Sequence, residues 1–167
     1  VTALLPTITV GFTYADGVQR TLLSGEDVSG KIRTEEISMY ASVVSAMPAV
    51  RKFLLESQRK IARENNVIMD GRDIGTVVLP NADVKIFLTA SPAERARRRC
   101  EELKKRGEHA EFSEVERAII ERDKNDSTRA VSPLKKHPNA ILLDTTGNEL
   151  ETSINLVLST IKENLPL

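Results

Sequence analysis

Three short apolar runs, each followed by polar residues, constrain most strongly how this chain can fold. They are VIMD at 67–70, VKIFLTA at 84–90 and AILLDTT at 140–146. Runs of this length, bounded by polar residues and glycine, are typical of strands that are buried on both faces, as in parallel sheets. Helical patterns separate the runs, so we predict an α/β domain built around a parallel sheet.

The segments around these runs predict helices with recognisable ends. Pro48 suits the first turn of one helix, and two Ser-x-x-Glu capping boxes, Ser91 with Glu94 and Ser113 with Glu116, suit the starts of two others. We therefore predict helices over 35–46, 49–65, 91–107, 113–126 and 149–165.

The first 34 residues predict a small antiparallel piece instead. Polar and apolar residues alternate on both sides of Asp16-Gly17, which is a hairpin signal. GEDVSGKI at 25–32 has the spacing of a phosphate-binding loop, but Ile32 stands where a hydroxyl would hold Mg²⁺. Glu26 and Asp27 would also repel a phosphate. We interpret this segment as a hairpin turn.

Composition excludes several classes of function. The 167 residues suffice for one core, and 24 basic residues balance 24 acidic ones, so no net charge favours a nucleic acid or an anionic membrane. No apolar run approaches the roughly 20 residues that span a bilayer, and no signal peptide is recognisable, so we expect a cytoplasmic protein. Cys100 is the single cysteine and indicates a reducing compartment. His109 and His137 have no partners at metal-ligand spacing.

A dense group of charges follows the first apolar run, where DGRD occupies 70–73. Ligands gather at the carboxyl ends of parallel strands, so Asp70, Arg72 and Asp73 are candidate site residues. The alternative is structural, because an Asp that follows a strand often caps the next turn.

A second group of charges lies in ERDKNDSTR at 121–129. Arg122, Asp126 and Arg129 are separated by four and then three residues, so on a helix they share one face. Such a face could bind a phosphate and a base edge together. A solvated ladder of salt bridges explains the same spacing.

A third group is the run of arginines in the helix predicted to begin near Ser91. Arg95, Arg98 and Arg99 fall on one side of it, and planar guanidinium forks suit phosphoryl oxygens. Neutralisation by Glu94 and Glu102 is the alternative explanation.

Taken together, several segments resemble the bacterial cytidylate kinases. They are GEDVSGKIRT, MPAVRKFLLESQR, DGRDIGTVVLPNADVKIFLTAS, ERARRR and ERDKNDSTRAVSPL, in this order along essentially the whole chain. The resemblance implies a P-loop kinase-like parallel sheet flanked by helices, with a small antiparallel β insertion and a helical lid. It also implies transfer of the γ-phosphoryl group of ATP to CMP or dCMP, with Mg²⁺, in a monomer.

The resemblance also implies roles for particular residues. Asp70, Arg72 and Asp73 would orient the acceptor as the catalytic group, and Arg51 and Arg129 would hold its phosphate. Asp126 and Arg122 would face the nucleotide, and Ser42 with Arg51 would read the cytosine. Arg95, Arg98 and Arg99 would close over the phosphates as part of the lid. The implied CMP site is therefore Ser42, Arg51, Asp70, Arg72, Asp73, Arg122, Asp126 and Arg129.

The family's parts map onto the chain as three regions: a CMP-binding domain at 1–66, a core at 67–90 and 126–167, and a lid at 91–125. The family's opening strand, Gly-Lys-Gly-Thr loop and helix have no counterpart in these residues. We therefore expect a fragment of a longer kinase, marginally stable and without CMP-dependent ATP consumption of its own.

Three other functions fit parts of the pattern. A module that binds a nucleotide without turnover has the acceptor residues and no donor loop. A kinase of UMP or of another small acceptor is the nearest enzymatic rival, although Ser42 and Arg51 favour the cytidylate family. A nucleic-acid-binding protein is disfavoured by the zero net charge and the scarcity of aromatic residues.

Overall fold

A computed structural model describes residues 1–165 of the chain, without the side chains of Glu35, Ser38 and Ser42. Contacts divide the chain into two compact units, Val1–Ile68 and a second that begins at Met69. Each unit is described by itself below. None of the helices in the described residues is long and apolar enough to cross a membrane.

The first unit contains a small antiparallel sheet. Strands β1 (Val10–Ala15), β2 (Val18–Leu23) and β3 (Glu26–Asp27) pair in sequence order. Asp16 and Gly17 connect β1 to β2 with φ of 54° and 74°, the left-handed pair that a two-residue hairpin turn requires. The hairpin predicted at Asp16-Gly17 is confirmed.

Two helices and a short 3-10 helix complete this unit. Helix α1 spans Glu35–Ser45, and the Thr34 hydroxyl caps it by accepting the amide of Ile37 at 3.2 Å. Helix α2 spans Pro48–Glu64 with proline in its first turn, as predicted. The 3-10 helix Thr2–Thr7 packs against α2.

The second unit contains the predicted parallel pair. Strand β4 (Ile86–Thr89) lies in register beside β5 (Ile141–Asp144), so an α/β fold with a parallel sheet is confirmed. Leu143 is buried, but Leu88 and Leu142 are each 57% exposed. The expectation that both faces of these strands are covered is therefore wrong for the described residues, in which one face is open.

The prediction of a strand at VIMD is also wrong. Residues 67–70 have no regular secondary structure and pair with none of the described strands. Ile68 is 93% exposed. After bends at 71–73 the chain forms a π-helical turn, Ile74–Val78. The segment is apolar, as a buried strand would be. A strand also needs a hydrogen-bonded neighbour, and an apolar pattern does not reveal whether one is present.

Three helices complete the second unit. Helix α3 (Pro92–Lys105) packs against α4 (Phe112–Thr128), and α5 (Leu150–Asn164) follows β5. At the start of α3 the Ser91 hydroxyl accepts the amide of Glu94 at 3.2 Å, which confirms the predicted cap.

The second predicted cap is wrong. Helix α4 begins at Phe112 with Glu111 as its N-cap, so Ser113 already lies inside the first turn. The backbone carbonyl of Glu111 accepts the amides of Glu114 and Val115, both at 3.1 Å. A Ser-x-x-Glu pattern suits a helix start but does not fix where the first turn closes.

Candidate functional site

The segment that carries Asp70, Arg72 and Asp73 is shaped by local backbone contacts. A Cβ on Gly71 would lie 3.0 Å from the Ile74 side chain, so the bend favours glycine. The Asp73 carbonyl accepts the amide of Val78 at 3.2 Å, the hydrogen bond between residues five apart that begins the π-helical turn. Asp70 is exposed, and Arg72 is half-buried.

The end of α4 is fixed by the chain that follows it. Arg129 leaves the helix with an extended ψ of 143°, and its Nε donates to the carbonyl of Ser132 at 2.7 Å. The amide of Leu134 donates to the carbonyl of Asp126 at 2.8 Å, which folds the loop back on the last turn of α4. Arg129 is therefore held just beyond the helix.

Asp126 lies at the centre of the candidate site. Its Oδ2 is 2.9 Å from Nε of Arg72 and 3.9 Å from Nε of Arg122, and its Oδ1 is 3.5 Å from Nη1 of Arg129. The predicted helical face is confirmed for Arg122 and Asp126, whereas Arg129 reaches Asp126 from just beyond the helix. Arg72 joins the group from a distant part of the sequence.

One oxygen of Asp126 is buried without a hydrogen bond. Its side chain is 16% exposed, and Oδ2 has no hydrogen-bond partner in the described structure. Nε of Arg72 approaches this oxygen closely, but the contact is an ion pair without hydrogen-bond geometry. A buried acceptor in this state is available to a donor on a ligand.

The positive charges around Asp126 exceed its own negative charge. Three guanidiniums, those of Arg72, Arg122 and Arg129, approach the one carboxylate. The local excess is two positive charges, and Arg122 is 66% exposed, so the group is open to solvent. In a solvated ladder of salt bridges, cations and anions alternate in equal numbers. Here three cations surround one anion.

One turn before Asp126, Asp123 binds Arg95 of α3. Nη1 and Nη2 of Arg95 donate to Oδ1 and Oδ2 of Asp123 at 3.0 and 2.5 Å, a bidentate pair. Hydrogen bonds from Arg95 hold the pKa of Asp123 below its usual value, and the charges of Arg72 and Arg122 act in the same direction. Asp123 therefore stays ionised at neutral pH.

The other arginines of α3 are engaged elsewhere. Arg98 donates to the carbonyls of Thr145 and Asn148 at 2.5 and 3.3 Å, and to Glu94 at 2.7 Å. Arg99 pairs with Glu102 at 2.8 Å. The three predicted lid arginines thus have three different sets of partners, and their role in phosphate binding stays a prediction.

On the first turns of α3, Glu94 forms ion pairs with Arg97 and Arg98. Hydrogen bonds from Arg97, and then from Arg98, lower the pKa of Glu94 to about 2. The predicted neutralisation of these arginines by acidic neighbours is therefore present in the structure.

The first unit contains the two remaining predicted residues. Arg51 lies on α2, and its Nη1 donates to the carbonyl of Ser45 at 3.2 Å. Ser42 lies on α1, but its side chain is outside the described residues.

GEDVSGKI forms a turn and strand β3, as interpreted from the sequence. Ser24 and Gly25 have φ of 49° and 90°, and the carboxylate of Asp27 accepts the amide of Ser29 at 2.9 Å. Lys31 pairs with Glu26. This lysine is therefore bound to a carboxylate of its own segment.

The described residues contain no group of three or more His, Cys, Asp and Glu side chains that could hold a metal ion. The side chain of His109 is 90% exposed and lies beside Glu111, so this histidine is at the surface.

Two contacts of the site escaped sequence reasoning. Arg72 and Asp126, like Arg95 and Asp123, are far apart in the chain and lie in different elements. Helical spacing relates residues three or four positions apart and cannot find such pairs. The charged DGRD segment marked Arg72 as a candidate site residue, whereas no feature of the sequence marked Asp123.

Comparison with known proteins assigns the chain to a family. A family model described as cytidylate kinase matches residues 2–163. Curated proteins named cytidylate kinase align from Carboxydothermus hydrogenoformans at 51% identity and from Caldanaerobacter subterraneus at 53%, each over 87% of this chain. A third, from Pasteurella multocida, is 46% identical over 99% of this chain.

The aligned region is part of each relative's length. It covers 66% of the Carboxydothermus protein, 65% of the Caldanaerobacter protein and 73% of the Pasteurella protein. The match to the family model nevertheless extends over nearly every residue described above. The chain belongs to the cytidylate kinase family.

Proposed function

We propose that this chain provides the acceptor site of an enzyme that transfers the γ-phosphoryl group of ATP to CMP or dCMP, giving CDP or dCDP. Family membership and the names of the relatives support the reaction class. The observation that carries the proposal is Asp126, enclosed by three arginines and left with an unbonded oxygen.

The charge at this site suits a nucleoside monophosphate. A phosphate monoester carries about −1.5 to −2 charge at neutral pH, which matches the two excess positive charges around Asp126. Arginine forks bind phosphoryl oxygens with two parallel hydrogen bonds, so Arg72, Arg122 and Arg129 can hold the acceptor phosphate and fix its orientation.

The carboxylate inside the cluster suits the rest of the nucleotide. A site for inorganic phosphate alone would gain nothing from Asp126, because like charges repel. Sugar hydroxyls and the amino group of cytosine are hydrogen-bond donors, and one of them would satisfy Oδ2. A donor from the nucleotide would give Oδ2 a hydrogen bond in addition to its ion pair with Arg72, so occupation by a donor would be favoured.

Phosphoryl transfer needs positioning more than covalent chemistry from the protein. An oxygen of the acceptor phosphate bonds to the γ-phosphorus while the bond from that phosphorus to the β-γ bridging oxygen breaks. Arg72 would neutralise the acceptor during this step, with Asp70 and Asp73 beside it in sequence. Arg51 and Ser42 are proposed to read the cytosine.

Mg²⁺ is the proposed metal of this reaction. It commonly binds through one or two carboxylates together with substrate phosphates. In this reaction the ion would be held chiefly by the nucleotide phosphates. Its chemistry would be neutralisation of phosphate charge.

Calorimetric titration with CMP tests the proposal. Replacing Arg122 with Met should weaken CMP binding by roughly tenfold, since a hydrogen bond between charged groups contributes about 1.5–3 kcal/mol. The matched control is Arg117→Met, which removes an exposed arginine from the same helix and should leave the affinity unchanged. Equal losses in the two variants would contradict the proposed site.

Parallel titrations with UMP and AMP test the acceptor. We expect CMP to bind more tightly than either. Tighter binding of UMP would identify a different acceptor.

A further inference from the structure

We infer that Arg95 and Asp123 form a positioning pair that holds the Asp126 site in its binding geometry. The inference rests on the proposed function, since the site that the pair positions is the proposed CMP site. Neither residue is assigned to the nucleotide itself.

The first observation is that Arg95 joins three elements of the second unit. Its Nε donates to the carbonyl of Ala90, just after β4, at 3.0 Å. Its two terminal nitrogens bind both oxygens of Asp123 on α4. Arg95 and Asp123 are only 31% and 28% exposed, so these contacts are partly shielded from water. One side chain thus connects the sheet, α3 and α4.

The second observation is where this connection meets α4. Asp123 directly follows Arg122 and precedes Asp126 by three residues, so it shares a side of the helix with Asp126. A bidentate contact restricts rotation as well as distance, because both oxygens must face the guanidinium. Fixing Asp123 therefore fixes the direction in which the last turns of α4 present their site residues.

The third observation concerns charge. Asp123 occupies both terminal nitrogens of Arg95, so the charge of Arg95 is balanced within the pair. The excess positive charge remains with the three arginines around Asp126. This role for Arg95 differs from the lid role implied by resemblance, in which Arg95 would touch a phosphate directly.

Two charge-conserving variants separate these roles. Arg95→Lys keeps the positive charge but loses the planar fork, and Asp123→Glu keeps the negative charge but displaces it by one methylene. Each should weaken CMP binding by roughly tenfold, and the double variant should lose little more than either single variant, because both break the same contact. Titrations are made on the full chain, well below each variant's melting temperature.

Arg97→Lys and Glu101→Asp are the matched controls. These residues form an exposed pair on α3, with Nη1 of Arg97 2.6 Å from Oε1 of Glu101, and their variants should bind CMP like the unmodified chain.

Each outcome has a distinct meaning. Loss of affinity in Arg95→Lys alone would show that Arg95 touches the nucleotide and would overturn the inference. Unchanged affinity in both variants, even with a lowered melting temperature, would reduce the pair to a structural contact and also overturn it. Failure of the unmodified chain to bind CMP would instead remove the proposed function, and this inference with it.

Discussion

Helices α3 and α4 both carry several arginines, but they use them differently. On α3, Arg97 and Arg98 share Glu94, and Arg99 has Glu102. Near the end of α4 carboxylate acceptors are scarcer, because the single carboxylate of Asp126 serves three arginines. The difference teaches that the number of arginines alone does not identify an anion site. An anion site is identified by arginines that outnumber the carboxylates of the protein available to pair with them.

The largest effect is expected from Arg129, on the α4 side of this comparison. Arg129→Met should weaken CMP binding by roughly ten- to hundredfold, because a charged hydrogen bond to phosphate contributes about 1.5–3 kcal/mol. Calorimetry measures the affinity, and circular dichroism verifies the fold. The control is Arg106→Met, directly after α3, which breaks an exposed pair with Glu102. Unchanged CMP affinity in folded Arg129→Met would remove Arg129 from the site.

The next effect concerns stability and comes from α3. Arg98 donates to the carbonyl of Thr145, a residue that is only 3% exposed. Arg98→Met removes this charged hydrogen bond together with those to the Asn148 carbonyl and to Glu94, and it should lower the free energy of unfolding by about 1–3 kcal/mol. Urea denaturation measures the change.

Arg99→Met provides the matched comparison on the same helix. Its partner Glu102 is 46% exposed, so the loss should stay below about 1 kcal/mol. If Arg98→Met lowered CMP affinity as much as Arg129→Met, the distinction between structural arginines on α3 and binding arginines near the end of α4 would fail. Arg98 would then belong to the binding site.

The smallest effect is a pH dependence at the start of α3. The pKa of Glu94 is lowered from 4.5 to about 2, chiefly by hydrogen bonds from Arg97. Its ionised form therefore stabilises the fold fully above pH 4.5, and this contribution is lost as the pH falls toward 2. Urea midpoints across this range should fall less steeply for Glu94→Gln than for the unmodified chain. If the urea midpoints of the two proteins fell equally with pH, Glu94 would make no pH-dependent contribution to stability.

The parts of the fold that local rules govern were predictable from the sequence. The turn at Asp16-Gly17 and the cap at Ser91 depend on neighbouring residues, and both were found. The runs at 84–90 and 140–146 also gave the parallel pair. VIMD failed as a strand because pairing depends on a partner elsewhere in the chain.

The candidate site shows the same division. Helical spacing placed Arg122, Asp126 and Arg129 on one face, and the structure brings them together. The contact between Arg72 and Asp126 arises from tertiary packing, as does the engagement of Arg95 by Asp123, and neither follows from spacing. The domain bounds and the lid inferred from resemblance stay predictions.

The central claim is that the α4 cluster receives the acceptor nucleotide, CMP. The most direct measurement is a CMP titration of the full chain followed by backbone amide NMR shifts. We predict saturable one-to-one binding, with the largest shifts at Arg72, Asp126 and Arg129 and small shifts at 97–106. Absence of binding, or shifts centred on 97–106 with none around Asp126, would contradict the claim.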